Sequence, residues 1–212
     1  MSRHRTVAEA RVATSGVPRM SLTDWVVLAV IAEDPRHGFS VARELAPDAP
    51  LGQVWTVRRP LVYRSLEYLA AGGSIGARRT EPGTQGPHRT VYGVTRTGRH
   101  RLVRWLAEPV EHPRDVRSEL LVKFVLRARR GERLTPLAVR QLELFAPVAD
   151  GLARAARRAT GAERVVARWR LESTRAITRT LDAIVADEAR GVRDGAALAS
   201  RRASSAGADA DD

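Results

Sequence analysis

Val57-Arg58-Arg59-Pro60-Leu61-Val62-Tyr63-Arg64-Ser65-Leu66-Glu67-Tyr68-Leu69 decides the reading of this chain, together with the downstream residues Gly72-Gly73, Ile75, Arg78-Arg79, Gly83-Thr84-Gln85-Gly86-Pro87, Arg89 and Tyr92. Pro60 is compatible with a helix only in its first turn, where the missing N–H has no helical partner to lose. From there Val62, Leu66 and Leu69 recur at i, i+4 and i+7 as one apolar stripe. Arg58, Arg59, Arg64, Ser65 and Tyr68 fall off that stripe in this reading and face outward. Gly72 or Gly73 supplies the stop. Ile75–Thr80 and Arg89–Thr95 are the two strands of a ribbon, and Pro82, Gly83, Gly86 and Pro87 predict a long basic loop between them. A helix followed at once by a basic ribbon is the working part of a winged helix, in which the helix enters the DNA major groove and the ribbon tip follows the backbone.

The charge distribution agrees. The net charge is +12, from 36 basic and 24 acidic residues, and only one of the basic residues, Lys123, is a lysine. Residues 1–54 carry six arginines and six acids and are neutral. Residues 55–105 carry ten arginines against Glu67 and Glu81, or +8; residues 106–212 carry +4. Two thirds of the excess therefore sits on about a quarter of the chain, the kind of concentrated field that a polyphosphate ligand requires.

On either side, the sequence predicts support. Met1 to Met20 looks like a flexible arm, lying on DNA, packing on the C-terminal region or disordered. Ser21 is an N-cap for a buried helix (Trp25, Val26, Leu28, Ala29, Ile31, Ala32) that Asp34-Pro35 ends. His37-Gly38-Phe39-Ser40 is a turn, with Ser40 capping Val41–Ala46, and Leu51–Thr56 crosses to the next helix. Thr95 or Thr97 caps a helix carrying Leu102, Val103, Trp105 and Leu106. Beyond a boundary at Pro113, three helices are predicted. One runs from about Arg114 to Arg130; one from Thr135-Pro136 (cap plus proline) to about Thr160, bent at Pro147; and one from Ala162 to Ala189, ending at Gly191. Val166, Trp169, Ser173, Ile177, Leu181 and Ile184 make a seam on the last helix that its own chain or a partner must cover. Residues 193–212 are small and polar, as in a disordered tail. The expected fold class is mostly α with a small β-ribbon. An N-terminal winged helix-turn-helix (21–110) is followed by a C-terminal helical dimerisation or effector domain (113–192).

The same motifs, taken in order, resemble the PadR family of bacterial transcription regulators, in its longer form. His37-Gly38-Phe39 is similar to the family's His-Gly-aromatic turn, and Val62-Tyr63-Arg64-Ser65-Leu66-Glu67-Tyr68-Leu69 to its Leu-Tyr-x-x-Leu-x-x-Leu helix. Gly73-Ser74-Ile75 and the run from Gly86 to Arg99, with Tyr92-Gly93-Val94-Thr95, resemble the entry to the wing and its exit. Leu61 stands where the family has a small polar residue, and Arg64 where it often has proline. The resemblance implies a homodimer on a palindromic operator, acting as a repressor released by a ligand or stress signal.

The expected DNA-facing set is Arg58, Arg59, Tyr63, Arg64, Ser65, Tyr68, Arg78, Arg79, His88 and Arg89. Pairing of the helix arginines with Glu67 is the competing expectation, and ring packing is the competing role for Tyr63. The dimerisation or effector set is Val166, Trp169, Ile177, Leu181 and Ile184, with Trp169 packing in a dimer core or walling a ligand site. The expected partners are double-stranded DNA, a second copy and a small-molecule effector; a winged-helix module for protein or RNA is the alternative. Without cysteine there are no disulfides or thiolate zinc sites. The histidines lack metal spacing, and no nucleophile elbow, phosphate loop or dinucleotide fingerprint is present, so no catalytic residue, metal or cofactor is predicted. No apolar run approaches the ~20 residues that span a bilayer, so a cytoplasmic protein is expected.

Overall fold

The computed structural model describes residues 20–83 and 86–208, and side chains other than those of 83–88 and 192–208. The arm expected before Met20 lies outside the described residues. Helix α1 (Leu22–Glu33) starts at a reciprocal cap, in which Ser21 Oγ accepts from Asp24 N–H and Asp24 Oδ2 accepts from Ser21 N–H at 2.8 Å. Its residues Val26 to Ile31 are all buried, the behaviour of a helix that is apolar on every side and forms the centre of a core. Pro35 then turns the chain into a strand of two residues, β1 (Arg36–His37), which the sequence pattern does not announce.

Helix α2 (Gly38–Glu44) begins three residues earlier than expected, and its cap is His37 rather than Ser40. Pairing of His37 in β1 brings its imidazole over the first turn, where Nδ1 accepts the Ser40 N–H at 3.1 Å. The crossing beyond it contains a short helix, α3 (Pro50–Val54), opened by Pro50. Helix α4 (Arg59–Ala71) has Pro60 in its first turn and buries Val62, Leu66 and Leu69, as its stripe requires. Gly72 is the cap and Gly73, at φ 65°, the left-handed residue after it. Gly73 N–H donates to Ala70 O and Ser74 N–H to Leu69 O, the paired bonds of a Schellman ending.

Strands β2 (Ile75–Gly83) and β3 (Gly86–Val94) pair antiparallel from Ile75↔Val94 out to Gly83↔Gly86, and β1 adds to the other side of β3. The long loop expected between them is therefore corrected: both strands run through the proline region. Pro82 sits on edge strand β2 beside a register shift between Glu81 and Gly83. Pro87 sits on β3 beyond the reach of β1, which pairs only at Val91 and Tyr92. Prolines are tolerated at such positions because no inter-strand bond needs their N–H. Thr95, the cap of α5 (Arg96–Ala107), accepts the Gly98 N–H and donates its hydroxyl to Gly73 O at 2.7 Å, fastening the end of α4 to the end of the ribbon.

The single helix expected from Arg114 is corrected to a 3-10 turn (Pro113–Asp115), a wide π turn (Val116–Leu120) and α6 (Leu121–Arg129). Opposite sides of α6 serve two cores. Val122 and Leu126 join α1, α4 and α5, while Leu120 and Phe124 join Val110, Leu137, Phe145 and Leu181. Arg129 adds a forked ion pair to Glu33 of α1, with Nε–Oε1 at 2.9 Å and Nη2–Oε2 at 2.7 Å, and a further contact to Glu44 of α2. The connection before α6 is gripped by buried Gln141, whose amide accepts the Val110 N–H and donates to Val110 O.

Helix α7 (Thr135–Arg158) contains Pro147 as expected, but Thr135 is its first residue and not its cap. The cap comes from α8 (Gly161–Ala208): the Glu188 carboxylate accepts from Leu134 N–H, Thr135 N–H and Thr135 Oγ1–H. Helix α8 also corrects the stop at Gly191 and the tail from 193, since its backbone stays helical to Ala208. The alanine-rich sequence after Arg193 sustains a helix, and the residues at positive φ are Gly73, Gly131 and Gly161 among those described. No described helix is long and apolar enough to cross a membrane.

Lys123 of α6 is buried at the junction of the two cores. Its Nζ lies 2.7 Å from Glu119 Oε1, donates to Glu108 O at 2.8 Å and stands 4.9 Å from the Trp105 ring centroid. Lys123→Ala is expected to cost about 2–3 kcal/mol, below the 3–5 typical of a fully buried pair because Glu119 can rehydrate. Thermal unfolding should then occur roughly 5–10 °C lower. Burial pushes the Glu188 carboxyl up, but hydrogen bonds from Leu134 and Thr135, with Arg133 nearby, outweigh it and hold the group below the ordinary 4.5. Its stabilising contribution is thus complete above that value and lost as pH falls through the lower folded one. Melting curves of wild type and Glu188→Gln should converge on acidification below about pH 4.5 and separate above it.

Candidate nucleic-acid interface

Three elements meet at one face: the β1–α2 turn, the first half of α4 and β3. The meeting is set by backbone pairing, Arg36 with Tyr92 and His37 with Val91, which brings the turn to the base of the ribbon. Gly38 makes close packing possible, because a Cβ there would stand 2.9 Å from both Leu66 Cδ1 and Tyr63 Cε1. Between these elements lies an open cavity of about 470 Å³ whose wall includes Phe39, Arg59, Tyr63, Glu67 and Arg89. The Arg59 guanidinium carbon is 5.2 Å from the Phe39 ring centroid and 5.7 Å from that of Tyr63. That of Arg89 is 5.7 Å from Phe39.

On α4, Arg58, Arg59, Tyr63 and Arg64 are exposed. Among the described residues Glu67 forms no ion pair, so the expected competition for the helix arginines is not realised. Ser65 is corrected: it is 4% exposed. It stands three residues after Val62 and four before Leu69, which places it on the inward stripe and not beside it. Tyr68 is half-buried against the first core.

On the ribbon, Arg78 reaches across Gly93 to donate from Nη2 to Val94 O at 3.2 Å, which commits it to holding the strands together. Arg79 is exposed and paired with Glu81 at 2.8 Å. The His88 side chain lies outside the described residues. Arg89 is exposed and joins the Phe39 group. Phe39 itself, 39% exposed, is absent from the set expected on sequence grounds. The signal in the sequence was the aromatic directly after Gly38 in the His37-Gly38-Phe39 turn.

The five seam residues of α8 divide. Leu181 is buried, and Ile177 and Ile184 are half-buried in the core shared with α7. Val166 and Trp169 are 57% and 74% exposed and lie beside Val165 at 70%. Among the described residues no three His, Asp or Glu side chains gather as metal ligands would.

Known proteins place the first half of the chain. A probable transcriptional regulator of Mycobacterium tuberculosis is 30% identical over 95 residues, which is 45% of this chain and 49% of that protein. The negative transcriptional regulator PadR of Bacillus subtilis is 25% identical over 104 residues, 49% of this chain and 56% of that protein. The chain thus spans about half the length of the curated relatives it matches. The crystal structure of Bacillus subtilis PadR in complex with operator DNA is similar at 20% identity and a TM-score of 0.41, covering 78% of this chain and 98% of that one. Residues 27–104 match the transcriptional regulator PadR-like family.

Proposed function

We propose that this protein is a sequence-specific DNA-binding transcriptional regulator, acting as a homodimer on a palindromic operator. The observation that carries this reading is the set of exposed arginines on α4 (Arg58, Arg59 and Arg64), which have no acid partner among the described residues, beside the exposed Arg89 of the ribbon. In this reading α4 enters the major groove and the ribbon follows the adjacent backbone. Arg58, Arg59, Tyr63, Arg64 and Arg89 make the contacts, Arg79 contributes once Glu81 releases it, and Arg78, Ser65 and Tyr68 hold the frame. The winged part (21–110) binds DNA, and the helices from 113 onward join two copies through Val166 and Trp169. Half-sites must fall about 34 Å apart for both α4 helices to enter the groove on one side of the duplex. An effector that binds one arrangement of the two subunits better than another shifts this spacing and releases the operator. Repression is supported by the name of the Bacillus relative, a negative regulator.

Arg64→Ala and Arg89→Ala are each expected to weaken binding to a selected duplex by roughly 5- to 100-fold, with self-association unchanged. Fluorescence anisotropy at physiological salt measures the first and sedimentation the second; unaltered affinity in both variants refutes the assignment. Trp169→Asp is expected to convert the dimer to monomer at micromolar concentration and to lower operator affinity with it. A Trp169→Asp chain that sediments as wild type removes Trp169 from the interface.

A further inference from the structure

Phe39 has no place in the contacts assigned above, although it is the point where they converge. It follows the strand pair His37–Val91 by two residues, and Gly38 lets the turn close onto Tyr63 and Leu66. Its ring therefore has a fixed position relative to both α4 and β3. Arg59 arrives from α4 and Arg89 from β3, and each guanidinium stands within 5.7 Å of the same centroid. Two like charges brought to one exposed ring repel each other, and neither forms an ion pair with Glu67, which borders the same cavity. An aromatic face attracts a guanidinium through its quadrupole and removes side-chain freedom that binding would otherwise have to remove. The repulsion left over is relieved by an anion placed between the two groups, and a cavity of about 470 Å³ opens there.

We infer that Phe39 is a positioning residue for DNA binding, a platform holding Arg59 and Arg89 as a preformed pair, and that the cavity between them seats a backbone phosphodiester. This deepens the DNA-binding reading and rests on it. The site recognises charge and not base identity, so it operates on any duplex. It also makes the helix and the ribbon engage the backbone as one unit, since loss of the ring frees both arginines together.

The test uses the full chain with mixed-sequence duplex DNA and, separately, a selected operator. Phe39→Leu keeps the apolar volume and removes the aromatic face, whereas Phe39→Tyr keeps the face. Phe39→Leu is expected to bind mixed-sequence DNA about tenfold more weakly, with the slope of log K against log salt reduced by about one, and Phe39→Tyr to bind as wild type. A cycle of Arg59→Ala, Arg89→Ala and the double variant, all carrying Phe39, gives a second measure that does not depend on how Phe39→Leu folds. The two losses should be markedly non-additive. Phe39→Leu with wild-type affinity and slope, or additive losses in the cycle, overturns the inference. Binding to mixed-sequence DNA with the cycle intact but no preference for any operator overturns the regulator assignment and leaves the phosphate seat standing.

Discussion

The buried ammonium of Lys123 is the constraint on which the two halves of the molecule depend. Of 36 basic residues it is the one lysine, and it is 1% exposed. Burial alone pushes the group below the ordinary lysine range, and the Glu119 carboxylate works against that push. Three partners of different kinds meet its needs: an ion pair to Glu119, a carbonyl bond to Glu108 at the end of α5, and the face of Trp105. Trp105 in turn donates its indole N–H to Glu119 and stacks on Trp25 of α1 at 5.0 Å, with the rings 2° from parallel. An arginine at 123 would bring a planar fork needing five acceptors into a space that satisfies a compact ammonium. The α5–α6 angle is thereby fixed by a polar cluster that tolerates one geometry.

That angle matters because α6 belongs to both cores. With Val122 and Leu126 on one side and Phe124 on the other, any rotation of α6 disturbs packing at both ends of the chain. The wing is held as firmly by smaller means. Two residues of β1 pair with β3, and the Thr95 hydroxyl ties the end of the ribbon to Gly73 at the end of α4. The proposed DNA-facing surface is thus preorganised before any ligand arrives, which lowers the ordering cost of binding.

Legibility in the sequence depends on the range of each interaction. The Ser21–Asp24 cap, Pro60 in a first turn, the Val62–Leu66–Leu69 stripe and the glycine stop of α4 are set by neighbours within a turn or two, and all were legible. The partner of β1 lies more than fifty residues away, Glu188 caps a helix that starts at Thr135, and Lys123 depends on Glu108 and Trp105. None of these leaves a local pattern. The ribbon differs from expectation for another reason: Pro82 and Pro87 exclude a central strand, but both fall in the register shift between the Glu81–Arg89 and Gly83–Gly86 pairs, where no ladder bond is required of them. The candidate site was legible in its arginines and not in its organising ring, because Phe39 becomes functional only through residues brought to it by pairing.

The α8 seam shows how spacing misleads over distance. From Trp169 the steps Ser173, Ile177 and Leu181 are each four residues, and each advances about 40° beyond a full turn, so three of them accumulate to roughly 120°. Residues that look like one stripe in sequence therefore occupy two faces. Leu171 shows the consequence, since it lies about 200° around the helix from Trp169 and is 6% exposed where Trp169 is 74%. The rotation that seats Leu171 and Leu181 in their own chain obliges Trp169 and its valine neighbours to face out. Nor can α7 cover the whole length, at 24 residues against 48. A second copy bound at Trp169 would lie on a face separate from the one packed on α7, so pairing of two chains would leave the internal core undisturbed. In such a pair, the separation of the two α4 helices would depend on the Lys123 joint as well as on the pairing face.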